Sequence, residues 1–509
     1  MPAAAPSEPD RTTASGLRPL KILLVYPQNP DTFWSFRHVL RLVGKRSAFP
    51  PLGLLTVAAM LPRSWELKLV DTNVSPLDDE HILRADYVFL SAMIAHRDSV
   101  RDIVAHCRRL GRPIVAGGPL FTTGHADFPE IDHFVLGEAE EIIGELAADL
   151  ARGRARRFYA AADRPDVAKV PIPRWDLIDF RHYVTMPVQF SRGCPYDCEF
   201  CDIVVMNGRV PRTKGPEQFV RELEALHERG WKDMVFVVDD NFIGDKKRTK
   251  TLLEAIVSWR KRTNATMGFL TEASVNLADD PELCELMRQA GFKKVFVGIE
   301  TPVAESLAEC KKVQNEGRDL AAAVRTIQSY GMEVMGGFIV GFDGDSKDIF
   351  KRQFDFIQRS GVVSAMVGLL TALPGTRLHQ RLEREGRVLA SSSGNNTEAV
   401  LNFVPKLGRD FLQNGYRDLM KKLYEPECFY QRVRTFLGNH RPSGTHWRIT
   451  GADIRGFLNS LWVLGARHRG RFAYWKFFFG TLLRRPRQFS VAMELAIMGY
   501  HFRRLSAFL

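Results

Sequence analysis

Eleven short apolar runs alternate with helix-length stretches along most of this 509-residue chain, and one proline-punctuated segment divides them into five and six. That alternation constrains the fold more than any other feature. Strands buried on both faces and separated by helices build parallel sheets, because each crossover has to carry the chain back over the sheet. The first five runs are KILLVYP (21–27), ELKLVDT (66–72), DYVFLSA (86–92), RPIVAGGP (112–119) and DHFVLGE (132–138). With PLGLLTVAAMLP and DSVRDIVAHCRRLG at helical length between them, they predict a doubly wound, Rossmann-like sheet over residues 18–155. The next six are MPVQFSRG (186–193), DMVFVVDDN (233–241), GFLTEAS (268–274), KVFVGIE (294–300), EVMGGFIVGF (333–342) and AMVGLLTALPG (365–375). They predict a partial (β/α)6 barrel over residues 183–399, open on one side to admit a large substrate. The class is α/β.

Three thiols, Cys194, Cys198 and Cys201, crowd into SRGCPYDCEFCDI just after the first barrel run. Gly193 and Pro195 flank a loop able to wrap a metal centre at a strand's C-terminal end, where barrel enzymes keep their chemistry. Three thiolates suit a four-iron cluster with one iron left open, since each cysteine caps one iron. A zinc site with a distant fourth ligand is the competing reading. The other four cysteines (Cys107, Cys284, Cys310, Cys428) are scattered, so no disulfide framework is present and a reducing cytoplasm is the natural compartment.

Ligands of doubly wound sheets bind outside the carboxyl ends of the strands. In the first sheet that edge carries Pro27, Asp71, Ser91, Gly117, Gly118, Gly137 and Glu138. No G-x-x-x-x-G-K-[ST] loop and no G-x-G-x-x-G fingerprint opens the first helix, which disfavours a nucleotide or dinucleotide. Residues 1–17 read as a disordered tail without an apolar signal segment, and residues 156–182, with PDVAKVPIPRWDLIDF, as an interdomain linker.

The net charge of +12 belongs to one region. Residues 401–509 hold 19 Lys or Arg against 6 Asp or Glu, whereas residues 1–400 hold 52 against 53. Residues 400–509 read as a helical basic domain in which aromatic and basic residues interleave, as in RGRFAYWKFFFGTLLRRPRQF (469–489). Helical spacing puts Phe472, Trp475, Phe479 and Leu483 near one another with arginines at the rim. Two readings follow: a helix lying on a membrane surface, or aromatics that cap the open side of the barrel. No apolar run approaches the length that spans a bilayer.

The cysteine motif together with these strand endings resembles the radical S-adenosylmethionine superfamily, and the preceding sheet resembles the cobalamin-binding domain often fused to it. CPYDCEFCDI, VVDDNFIGD, GIETP and the terminal GYHFRR look most like the subfamily that contains the hopanoid C-2 methylases. The resemblance implies a [4Fe–4S] cluster on Cys194, Cys198 and Cys201, with S-adenosylmethionine on the fourth iron. Phe200 would approach the adenine, and Asp239, Asp240 and Asn241 would accept hydrogen bonds from the methionyl ammonium. Glu272, Ser274 and Glu300 would contact ribose or methionine. Gly341 and the Leu373-Pro374-Gly375 turn would let backbone approach the adenine.

Cobalamin would rest on Asp71, Ser91 through Met93, Gly117, Gly118, Gly137 and Glu138. The D-x-H-x-x-G motif is absent, since His96 has Ile94 where its aspartate belongs, so no protein histidine is expected on cobalt. The implied activity is radical methyl transfer: a 5′-deoxyadenosyl radical takes hydrogen from an unactivated carbon, which then accepts a methyl group from methylcobalamin. The expected partners are a small-molecule substrate of the isoprenoid or polycyclic lipid class and a reductant such as flavodoxin or ferredoxin. Peripheral contact at the inner membrane face would use the basic C-terminal region. The alternatives are radical cyclisation or oxidation without methyl transfer, and a non-catalytic cobalamin or iron–sulfur sensor. Transfer-RNA methylthiolation fits poorly, because that family carries three further cluster cysteines in its N-terminal domain and this segment has only Cys107. No nucleic-acid partner is expected, and the sequence singles out no catalytic residue.

Overall fold

Residues Ile22–Val25 are buried without a break, so neither face of the strand they form is available to solvent. The computed structural model describes residues 18–509 except Ser391, Asn396 and residues 443–449, and the expected tail at residues 1–17 lies outside the described residues. Six parallel strands form the first sheet: β1 (Lys21–Tyr26), β2 (Glu66–Asp71), β3 (Tyr87–Ser91), β4 (Ile114–Gly117), β5 (His133–Leu136) and β6 (Phe158–Ala160). Their order is β2-β1-β3-β4-β5-β6. Alternate residues feed two cores, Leu23, Val25 and Leu90 packing with Val100 and Val104 on one face. Ile22, Leu24 and Phe89 pack with Leu54 and Leu146 on the other. The order reverses between β1 and β3, which makes the carboxyl edge there a crevice in which open α/β sheets bind ligands.

The sixth strand corrects the linker reading of residues 156–182. Phe158–Ala160 pairs with β5 and so belongs to the first sheet; three residues are too few to show a period in sequence. The rest of that stretch is also packed, with Val167 and Trp175 buried and the Arg174 N–H donating to the Leu55 carbonyl at 3.1 Å.

The second sheet contains β7 (Thr185–Val188), β10 (Met234–Val237) and β11 (Phe269–Ala273), while β8 (Ser191–Arg192) and β9 (Arg212–Thr213) form a separate short antiparallel pair. β12 (Phe292–Glu300), β13 (Glu333–Val340) and β14 (Ala365–Leu369) follow. The parallel order β14-β13-β12-β11-β10-β7 leaves β7 and β14 as its two edges, an open barrel of six strands. Every loop after a strand therefore emerges on one rim.

Beyond the Arg377–Arg384 helix that follows β14, the described C-terminal region contains the helices Arg409–Tyr424, Pro426–Asn439, Gly451–Trp462, Arg471–Arg484 and Phe489–Ser506. They share one core with the barrel. Tyr424 Oη donates to the Ala365 carbonyl of β14 at 2.6 Å, and the wholly buried Arg432 donates to the carbonyls of Leu423 (2.9 Å) and Val363 (3.2 Å). The β14 edge is thus covered by Arg409–Tyr424. Phe472, Phe479 and Leu483 do not cap the barrel; they are exposed.

The last helix reaches back to the first domain. His501 Nε2 bonds the Thr32 carbonyl at 3.0 Å, and Phe502 packs on Phe33 and Phe36. Burial holds the His501 pKa down to about 4, and it does the same to His96. Both are neutral when folded and gain a proton near pH 6.5 when unfolded, so the unfolded chain binds more protons between these values. Stability is complete above about pH 6.5 and declines towards pH 4, by at most about 3 kcal/mol per histidine. Chemical denaturation of the apoprotein at stepped pH should show this decline, and His501→Gln should remove about half of it.

Candidate active site

The cysteine loop is held by the residues that end β10. Asp239 accepts hydrogen bonds from the N–H groups of Phe190 (2.7 Å) and Ser191 (2.8 Å) and from Ser191 Oγ (2.6 Å). Asp240 accepts from Gly193 N–H and Asn207 Nδ2, both at 2.9 Å. Asn241 Nδ2 points at Cys194 Sγ (3.8 Å), while its Oδ1 accepts from Ser274 N–H (3.2 Å). Ser274 Oγ also donates to Asn276 Oδ1 at 2.6 Å, and Asn276 Nδ2 bonds Tyr196 Oη at 2.8 Å inside the loop. These side chains, read from sequence as contacts for an ammonium group, have their hydrogen bonds directed at the loop that carries the thiols. Burial lifts the Asp239 carboxyl to about pKa 7.

Glu272 is different. It lies half-buried on β11, its carboxylate makes no hydrogen bond to another described residue, and desolvation with the neighbouring Asp240 and Asp239 raises its pKa to about 8. An unpartnered carboxylate on the rim, close to two others, is suited to receive a cation.

All three loop thiols are free. Among the described residues no three His, Cys, Asp or Glu side chains converge closely enough to hold one metal ion. Three thiols on one loop suit a cubane, which takes one thiolate on each of three irons. Burial raises the thiol pKa of Cys194 and lifts that of Cys201 to about 12, so metal has to displace the protons. Donors are in place for the resulting negative sulfurs. Gln314 Nε2 lies 3.8 Å from Cys198 Sγ. The buried ammonium of Lys312 is disfavoured by desolvation but held charged by Glu300 and the cysteines, and its pKa is raised overall.

Glu300 ends β12 with φ of 61°, and its carboxylate binds Lys312 Nζ at 2.6 Å. A side chain at Gly298 would run into Glu300 Oε1 and come within 2.8 Å of Lys312 Nζ, so glycine is what lets this pair form. Phe200 packs against Phe342 at 6.1 Å with Lys312 Nζ 6.0 Å from its ring. Gly341 takes φ of 109° and donates its N–H to Asp345, while Pro374 stands half-buried in the turn after β14. The donor set and geometry fit a [4Fe–4S] cluster with a sulfonium ligand beside it.

At the first sheet's carboxyl edge the expected contacts divide. Ser91 is half-buried and pairs with Gly117, Met93 is exposed, and nothing stands within 4 Å of where a Gly137 Cβ would be. Gly118 adopts φ of 95°, and a Cβ there would sit 2.9 Å from Ser91 Oγ. This open, side-chain-poor shelf fits a broad flat ligand.

Asp71 and Glu138 depart from the sequence reading. Asp71 accepts hydrogen bonds from Asn73 and, at 3.0 Å, from Tyr183 Oη, two residues before β7. Glu138 binds Arg192 (2.5 Å) and Arg212 (2.6 Å), while Arg192 also binds Glu140 (2.6 Å). Both carboxylates clamp one domain to the other. His96 is buried with Nε2 2.7 Å from Asn29 Oδ1 and Nδ1 accepting from Met93 N–H, so neither nitrogen is free for cobalt.

Trp34, from the first domain, stacks on Phe236 (5.7 Å, 14°) and lies against Phe296 (5.4 Å). Val235, Val237, Val295 and Val297 belong to the outer core, so the alternation turns Phe236 and Phe296 to the barrel interior. Sequence reasoning missed Trp34, Arg192, Arg212, Lys312 and Gln314. No local pattern marks them, because each acts on a partner from a distant part of the chain.

Comparisons with known proteins bear on this arrangement. Family models match in three consecutive stretches: the B12 binding domain at residues 45–147, the radical SAM superfamily at 188–357 and a domain of unknown function (DUF4070) at 376–508. The chain is 36% identical over 484 residues to the hopanoid C-2 methylase of Rhodopseudomonas palustris, covering 92% of this chain and 91% of that one. This chain is a cobalamin-dependent radical S-adenosylmethionine methyltransferase.

An uncharacterized methyltransferase of Synechocystis sp. is 40% identical over 489 residues, covering 95% and 91% of the two chains. The radical enzyme OxsB, solved with aqua-cobalamin and S-adenosylmethionine bound, shares the fold with a TM-score of 0.62 at 16% identity, over 96% of this chain and 81% of that one. The cofactors of this methyltransferase are a [4Fe–4S] cluster, S-adenosylmethionine and cobalamin.

Proposed function

We propose that this methyltransferase modifies an unactivated carbon of a polycyclic or isoprenoid lipid, drawing electrons from a flavodoxin or ferredoxin. The observation that carries the substrate class is the aromatic wall of Trp34, Phe236 and Phe296 inside the barrel, which offers a large apolar molecule broad contact. Its likeness to a protein named hopanoid C-2 methylase supports the same class.

Cys194, Cys198 and Cys201 would ligate the cluster, with Asp239, Asp240 and Asn241 fixing their loop. Glu272 and Glu300 would face the methionyl end of S-adenosylmethionine, Ser274 the same end, and Phe200, Gly341 and Pro374 its adenine. Ser91, Met93, Gly117, Gly118 and Gly137 would form the shelf for cobalamin. The bound cofactors supply the radical chemistry and the transferable methyl group. The chain would position them, with the Glu138 and Asp71 clamps tying the first sheet to the barrel.

The test is turnover of detergent-dispersed hopanoid by the anaerobically reconstituted holoenzyme, with S-adenosylmethionine labelled in its methyl group. Label retained in the lipid is the expected result. 5′-Deoxyadenosine formed without label in the product would favour cyclisation or oxidation. A lipid substrate resides in a bilayer, and peripheral contact at the inner membrane face through the basic C-terminal region belongs to the same proposal.

A further inference from the structure

Two C-terminal helices present an apolar face that no described residue covers. On Gly451–Trp462, residues Ile454, Leu458 and Trp462 recur every fourth position and so share one side. Leu458 is 58% exposed and Trp462 62%. On Arg471–Arg484, Phe472 is 75% exposed and Leu483 80%, with Phe479 exposed between them. The two stripes flank one seam. Phe457 stacks on Phe478 across it (6.2 Å), and Trp475 donates to the Gly465 carbonyl (2.9 Å) while stacking on Phe479 (5.6 Å). Large apolar side chains exposed together on a folded surface mark a contact with something else.

Charge identifies that contact. Residues 454–493 hold eight Lys or Arg and no Asp or Glu. The cationic rim continues onto the first domain. The Arg455 guanidinium reaches within 2.7 Å of where a Cβ on Gly44 would sit, beside a cleft of about 220 Å³ lined by Arg37, Arg41, Lys45 and Arg46. Apolar side chains able to enter the acyl boundary, ringed by cations at phosphate level, match an anionic bilayer. No helix among the described residues is long and apolar enough to cross a membrane, so the contact is one of lying on the surface.

We propose that this face, centred on Leu458, Trp462, Phe479 and Leu483, docks the protein on an anionic lipid bilayer. The proposal depends on the lipid-substrate reading for its purpose and not for its evidence. It is tested by floating the holoenzyme with vesicles of phosphatidylcholine alone and of phosphatidylcholine mixed with phosphatidylglycerol. Binding is expected to the mixed vesicles, weakening about tenfold when salt is raised from low to high ionic strength. The triple variant Leu458→Glu, Phe479→Glu, Leu483→Glu should lose binding while keeping its iron content, melting temperature and turnover of detergent-dispersed substrate.

Wild-type protein that stays off the mixed vesicles, or a triple variant that still floats with them, overturns the proposal. So does sedimentation showing a wild-type dimer that the triple variant dissolves, because the face would then join two copies. Dispersed-lipid turnover with no vesicle binding removes the docking alone; vesicle binding with no lipid methylated removes the substrate reading alone.

Discussion

Cys198→Ala is expected to reduce methyl transfer to background and stop cleavage of S-adenosylmethionine, while leaving cobalamin binding intact. In the proposed cluster each of the three thiols has one iron to cap. Cys310, the nearest in sequence to the Lys312 loop, has its thiol bonded to the Leu307 carbonyl within its own helix turn. The proposed cobalamin shelf, built on Ser91, Gly118 and Gly137, belongs to a different sheet with its own two cores, so loss of the cluster should not disturb it. Iron analysis and the electron paramagnetic resonance of the reduced protein read the first effect. The absorbance of bound cobalamin after desalting reads the second. Gln314→Leu makes a graded comparison, because it removes a donor to Cys198 Sγ and keeps the ligand. Outer partners of this kind typically contribute about 10–100-fold in metal affinity or activity. Cobalamin lost together with iron in Cys198→Ala would mean that the two platforms fold as one unit.

Sequence and structure agree where physical demands are local. Strands such as KILLVY and EVMGGFIV are buried on both faces, and that demand writes an unbroken apolar run that any reader can find. The cysteine loop is legible for the same reason, since its thiols must lie within a few residues to meet one cluster. What stayed hidden depends on pairing across the chain. Lys312 lies more than a hundred residues from the thiols it faces, and its neighbours in sequence say nothing of Glu300. Asp239 and Asp240 stand at the expected strand end, but the chemistry of a carboxylate suits an ammonium group and a row of N–H groups equally. Geometry alone separates the two. Periodicity likewise put Phe472, Phe479 and Leu483 on one stripe. It could not tell whether that stripe met protein or solvent, and Trp475, on the same stripe, is half-buried against Gly465 while its neighbours are exposed.

Glu138 offers the sharpest distinction between a ligand contact and a structural one. Its two oxygens bind Arg192 and Arg212, whose side chains are 14% and 18% exposed, and Arg192 immediately precedes the cysteine loop. Removing one partner of a buried ion pair leaves charge without compensation and typically costs about 3–5 kcal/mol. Here slight exposure of all three side chains lets water relieve part of that, so Glu138→Ala should destabilise the protein by about 3 kcal/mol. Chemical denaturation measures this, and the double variant Glu138→Ala, Arg192→Ala should lose less than the sum of the two single changes. The functional consequence follows from position. With the clamp gone, the cysteine loop and the cobalamin shelf lose their fixed separation, so S-adenosylmethionine cleavage should persist while methyl transfer falls. If Glu138 instead contacted the corrin, cobalamin affinity would fall first, the double variant would behave additively, and stability without cobalamin would not change.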